Sequence, residues 1–228
     1  MNLNSNEVFN KLPDKGINIV EYSIGGSPQF FNIKLAEKWL KENKNVTWIS
    51  CSHTEEQFKV LAGKFALRTA SDKFKFREIS MLLPEDKVNS PYFEKQCFIN
   101  SIIDYCGNQK ENQLIVIDDI GFFCDLFNSD YRDILKALCK IGSYFNENFE
   151  CLISITVSER FCKKYRPNFY NLSSYAKIEE YNSGLDSQVT GKIDIFINVE
   201  ETGLIYYDFS YLVKDRSITF IPTGVGAV

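Results

Sequence analysis

The segment Ile24-Gly25-Gly26-Ser27-Pro28-Gln29-Phe30-Phe31 lies between an apolar run and a helical pattern. In an α/β chain that is where a triphosphate is gripped, at the carboxyl end of a strand. The grip needs the spacing G-x-x-x-x-G-K-[ST]: backbone N–H groups cradle the phosphates, the lysine meets their charge and the hydroxyl holds magnesium. Counted from Gly25, the second glycine falls on Phe30 and the lysine on Phe31. Pro28 removes a further N–H donor. Gly25 and Gly26 therefore read as a vestigial nucleotide-binding turn that keeps its place without the chemistry. Gly63-Lys64 and Gly191-Lys192 are also Gly-Lys pairs, but Phe58 and Asp186 stand where their first glycines would be.

Leu114-Ile115-Val116-Ile117-Asp118-Asp119 has the form of a magnesium-holding strand in nucleotide hydrolases. Asp118 and Asp119 are the second half of the vestigial site. An apolar strand that ends in carboxylates is also common structural grammar. His53 is the single histidine, so Ser-His-Asp chemistry would have to use it. Cys51 stands two residues away, but the bland reading is a turn histidine at a helix start. Asp194 and the Glu179–Glu180 and Glu200–Glu201 pairs read as solvated strand ends. No catalytic residue, metal site or cofactor is expected, and the chain is expected not to be an enzyme.

The densest basic run is Arg160, Lys163, Lys164 and Arg166, interleaved with Phe161 and Tyr165. Cations neutralise phosphates and rings stack on bases, so this run is a candidate nucleic-acid contact. Lys214 and Arg216 form a weaker candidate of the same kind. The overall net charge of −4 excludes a general polyanion binder. It leaves room for a local basic face completed by partners.

The elements that must position these groups follow from periodicity. Strands are predicted over 17–22, 46–51, 74–79, 114–117 and 151–157. Helices are predicted from Phe31 through Leu40, from Thr54 through Phe65, over 92–105 and over 131–145. Ser52 or Thr54 is the expected cap of the second helix. A polar loop is read over 84–91. After Pro167 the pattern turns strand-like, over 175–181, 189–199, 204–213 and 217–221. Alternating strands and helices followed by a strand run predict an α/β fold: a mainly parallel sheet flanked by helices and extended by C-terminal antiparallel strands. One domain is expected over 1–228. Seven cysteines show no C-x-x-C spacing and read as small core hydrophobes of a reducing compartment. The first nine residues lack the apolar stretch of a signal peptide, and no window approaches a membrane span. A cytoplasmic location, also nuclear, is expected.

Taken in order, these features resemble the Elongator complex protein 6 family. The resemblance is carried by Tyr211-Leu212-Val213-Lys214-Asp215-Arg216-Ser217-Ile218-Thr219-Phe220-Ile221 with Gly224 beyond it. Val189-Thr190-Gly191-Lys192-Ile193, Leu114 to Asp119, and the Val46–Cys51 strand running into Phe58, Gly63 and Lys64 add to it. The resemblance implies a degenerate RecA-like subunit of a hetero-hexameric ring with Elongator proteins 4 and 5. It further implies contact with the remaining Elongator subunits, tRNA binding and support of wobble-uridine modification. A recombinase-paralogue-like DNA repair subunit and a nucleotide hydrolase with a non-standard phosphate loop are the alternatives.

Overall fold

The computed structural model describes residues 3–23, 27–82, 95–107, 111–146, 150–162, 172–181, 189–199, 203–214 and 217–227. Its elements are β1 (Leu3–Asn4), α1 (Ser5–Phe9), β2 (Gly16–Tyr22), α2 (Gln29–Lys41), β3 (Asn45–Ser50), α3 (Glu55–Lys64) and β4 (Phe74–Glu78). A short 3₁₀ turn (Ile79–Leu82) follows, then α4 (Lys95–Gly107), β5 (Gln113–Ile117), α5 (Gly121–Leu126) and α6 (Tyr131–Asn146). The chain continues through β6 (Cys151–Ser158), α7 (Glu159–Cys162), β7 (Ser174–Glu180), β8 (Gly191–Val199), β9 (Gly203–Lys214) and β10 (Ser217–Ala227).

The described strands form one sheet, in the order β1-β10-β9-β8-β7-β2-β6-β5-β3-β4. The block β7-β2-β6-β5-β3-β4 is parallel, and β7-β8, β8-β9, β9-β10 and β10-β1 are antiparallel. The predicted fold class is the one observed. Central parallel strands are covered on both faces and so read as unbroken apolar runs. Every residue of β3, β5 and β6 is buried.

Two apolar layers result. On one face α1, α2 and α3 pack Phe9, Phe31, Trp39 and Phe58 onto Val20, Trp48, Phe209 and Phe220. On the other, α4 to α7 pack Ile102, Phe123, Leu138 and Phe145 onto Ile19, Ile117 and Ile153. Cys51, Cys106, Cys124, Cys139, Cys151 and Cys162 are free thiols; four are buried, in keeping with the core reading, and Cys51 and Cys139 are half-buried. The turn into β2 needs a left-handed residue, and Gly16 supplies it at φ +98°; a Cβ there would meet Ser173 Oγ at 1.9 Å.

The structure adds elements that periodicity did not reveal. The first ten residues hold α1, five residues long, which is too short to show a helical period. The stretch after Asp119 holds α5, six residues long. The strand expected over 175–181 begins at Ser174 and runs parallel to β2, so the antiparallel extension starts only at β8. The helix expected from Tyr92 is described from Lys95. The loop read over 84–91 lies outside the described residues. No described helix is long and apolar enough to cross a membrane.

Phe9 joins the two ends of the chain to α2. Its ring lies 4.9 Å from Phe31 and 6.0 Å from Phe220. Replacing Phe9 with Ala is expected to cost about 3–5 kcal/mol, the usual range for emptying a buried aromatic site. Urea unfolding of the two proteins measures it, and a loss below about 1 kcal/mol would refute this role.

Candidate functional site

The carboxyl ends of β2, β6, β5 and β3 lie side by side, because these strands are parallel neighbours. That edge holds the head of α2, Asp118, Asp119, His53 and Arg160.

Gly25 and Gly26 lie outside the described residues. The helix beyond them begins at Gln29, with Pro28 at the cap position making no side-chain cap bond. Phe31 N–H donates to the Pro28 carbonyl at 3.0 Å. Phe30 and Phe31 are buried rather than presented to a ligand. Phe30 packs on Tyr211 at 4.9 Å and Phe31 on Phe9 at the same distance. The next residue, Asn32, stands where the magnesium-binding hydroxyl would be. Its amide Nδ2 donates to Thr156 Oγ1 at 2.7 Å and its Oδ1 accepts from Ser154 Oγ at 2.7 Å. Asn18 extends the chain of bonds, giving Nδ2 to Ser154 Oγ and taking Ser174 Oγ–H. The groups at these positions thus fasten α2 to β2, β6 and β7.

Asp118 is 3% exposed and is saturated by the protein. Its Oδ2 accepts from Ser50 Oγ (2.6 Å), Ser52 Oγ (3.2 Å) and Trp48 Nε1 (3.3 Å), and its Oδ1 from Cys51 N–H (2.6 Å). The carboxylate clamps the end of β3 to β5. Asp119 accepts from Tyr22 O–H at 3.0 Å and from Gly121 N–H at 2.7 Å. Burial raises its pKa above the usual carboxylate value; the two hydrogen bonds and the Arg160 charge offset this only in part. Burial and the Asp119 charge push the Tyr22 phenol up to about 12.

His53 sits just before α3, whose cap is Thr54 in a reciprocal box with Gln57. Its Nδ1 is 2.7 Å from Ser52 Oγ and 3.7 Å from Asp118 Oδ2. Ser52 stands between His53 and Asp118, so the Ser-His-Asp order, with the carboxylate orienting the far side of the ring, is not met. Burial and the Asp118 charge raise the Cys51 thiol well above its ordinary value. That is the reverse of an activated nucleophile. Among the described residues no group of three His, Cys, Asp or Glu side chains could hold a metal ion.

Of the basic candidates, Arg160 and Lys214 are described, while Lys163, Lys164, Arg166 and Arg216 lie outside the described residues. Arg160 is 61% exposed, its Nη2 lies 3.9 Å from Asp125 Oδ2 and its guanidinium lies 4.5 Å over the Phe161 ring. Lys214 is exposed at the end of β9. β9 runs in the same direction as β2, so Lys214 lies at the same edge of the sheet as Arg160, four strands over and about five residues further along its strand. Tyr22, Asn32 and Asp125 escaped the sequence reading. Counting one residue beyond Phe31 would have found Asn32; nothing local marks the other two.

No protein-family model matches this sequence, and no curated protein matches it. Solved structures do. A KaiC-like protein from the hyperthermophilic archaeon Pyrococcus horikoshii matches with TM-score 0.64 and 12% identity over 92% of this chain and 91% of its own. The flagellar accessory protein FlaH from Methanocaldococcus jannaschii matches with TM-score 0.57 and 15% identity over 95% and 92%. The fold is RecA-like. This likeness overturns the expectation that the chain is not an enzyme, because RecA-type ATPases share the architecture and nucleotide hydrolysis is an activity it houses.

The two carboxylates are expected to respond differently to substitution. Asp118→Ala leaves three buried or half-buried donors unpaired and should cost about 3 kcal/mol or more in urea unfolding. Asp119→Asn should be at least as stable as the parent at pH 7. A folded-state pKa above the unfolded value means the charged form is penalised at neutral pH; the penalty fades as pH falls through the Asp119 range. Unfolding at pH 7 and pH 3 tests the sign, and a variant clearly less stable at pH 7 would refute it.

Proposed function

We propose that the chain is a RecA-like subunit that works within a ring around tRNA, as the resemblance to the Elongator complex protein 6 family implies. Its partners would be Elongator proteins 4 and 5, with the remaining Elongator subunits beyond them, and its role would be to support wobble-uridine modification. The observation that favours this reading is the packing at the head of α2. Phe30, Phe31 and Asn32 there tie the N-terminal helix, the central sheet and the C-terminal strands into one body. In such a body the described side chains at the head of α2 serve the packing of the fold. Several modest basic loops repeated around a ring gain affinity for one RNA through effective concentration.

A nucleotide hydrolase with a non-standard phosphate loop is the second reading. The RecA-like architecture favours it. Hydrolysis by the assembled particle, compared between the parent and Asp119→Asn, separates the two. Asp118→Ala is a poor probe because that carboxylate holds β3 and β5 together.

Purification from the native cell with intact-mass measurement tests the assembly. A hexamer containing two other RecA-like chains is expected, and a monomer without such companions would overturn the reading. The triple variant Lys163→Ala, Lys164→Ala, Arg166→Ala should weaken tRNA binding by the particle. Each lost phosphate contact should also flatten the log–log salt slope by about 0.7–0.9. Unchanged affinity and slope would remove that run from the interface.

A further inference from the structure

The turn between α5 and α6 and the first turn of α7 enclose an open cleft of about 430 Å³ at the sheet's carboxyl edge. Asp125, Asn128, Ser129, Asp130, Arg160 and Phe161 line it. Its size falls in the range of small-molecule sites. Its floor is held in place. Phe161 sits so close to the first turn of α5 that a Cβ on Gly121 would meet the ring at 2.5 Å. Asn128 adopts a left-handed backbone at φ +44°, and Ser129 N–H donates to the Cys124 carbonyl at 3.0 Å, which shapes the rim.

The chemistry of this lining is selective. Asp130 is held by Arg132, whose backbone N–H and Nε lie 2.9 and 3.5 Å from its Oδ1, and Asp125 faces Arg160 at 3.9 Å, so the charges of these carboxylates are matched pair by pair and leave no surplus cation to draw an anionic group. A cationic side chain would meet Arg160. A flat heterocycle with a hydrogen-donating edge suits every wall. The guanidinium plane, backed by Phe161, offers a stacking face. The Asp125 carboxylate, 73% exposed, offers two acceptor oxygens in one plane. Guanine presents N1–H and N2–H side by side, which matches a carboxylate. Adenine presents an acceptor at N1, which a carboxylate repels.

We propose that this cleft binds an unstacked guanine base, held between the Arg160–Phe161 platform and the Asp125 carboxylate. The base can come from an RNA nucleotide or from a free guanine nucleotide, and only the first source rests on the tRNA reading above. Its phosphate would point away from the carboxylates.

The full chain is titrated with GMP, IMP and AMP while the amide resonances of Asn128 and Ser129 are followed. GMP is expected to bind saturably, with IMP weaker because it lacks the N2 amine and AMP at least about tenfold weaker than GMP. Asp125→Ala, an exposed substitution, should bring GMP down to the level of AMP, and Phe161→Leu should weaken all three. Equal responses to the three nucleotides, no response, or shifts confined to another face would overturn the proposal. A single-stranded RNA with one guanosine distinguishes the sources. Tighter binding than GMP, lost in Asp125→Ala, assigns the base to RNA; binding no tighter than GMP assigns it to free nucleotide and counts against the tRNA reading. If the assembled particle binds tRNA equally well with Asp125→Ala and GMP does not bind, the cleft is refuted while the tRNA reading stands.

Discussion

A parallel sheet has no solvent face to spare, and this one must cover α2 on almost every side. Residues Phe30 through Ala36 are all buried, including Asn32 and Lys34. The sheet lies beneath them, α1 packs at their side through Phe9, and Tyr211 reaches across from β9. A charged lysine buried in such a helix needs an opposite charge beside it, as Lys34 has in Glu37 at 2.7 Å, or a phosphate. Rings cost nothing there and add apolar area. The same constraint explains Asn32: a polar side chain driven inward must find partners, and it finds them on β6. At the positions where the spacing would put a lysine and a hydroxyl, the side chains form a joint between helix and sheet.

The carboxyl edge shows how neighbouring residues of one type take different parts. Asp118 points into the sheet, meets four donors and becomes a clamp. Asp119, one residue on, turns to the opposite side and meets a phenol and one backbone N–H. Desolvation outweighs those bonds and raises its pKa. Beyond them, Asp125 and Arg160 face each other on the surface, where an ion pair contributes little to stability and is free to serve a ligand. Depth below the surface decides which carboxylate holds the fold and which can meet something outside it.

Much of the fold was legible in the chain because burial writes periodicity into sequence. The apolar runs 114–117 and 151–157 mark strands covered on both faces, and a helix start was legible at Ser52 or Thr54, of which the structure uses Thr54. The loss of the phosphate-loop pattern at Phe30 and Phe31 was also a matter of counting. Short elements such as α1 and α5 stayed silent, since five or six residues carry less than two helical turns of pattern. Strand direction was silent too: β7 reads like its successors, yet it pairs parallel with β2 while they run antiparallel.

The amino-acid sequence determined by itself that this chain folds as a covered α/β sheet, and that its first strand-to-helix turn lacks the glycine and lysine of a phosphate grip. Residue type and spacing along the chain suffice for both. Only the tertiary structure decided that Asp118 is a clamp, that Tyr22 reaches Asp119 across 97 positions of sequence, and that Asp125 and Arg160 border one cleft. Those pairings depend on which strands lie side by side and in which direction they run. That order is set by the joint burial of the whole sheet, so no single segment contains it.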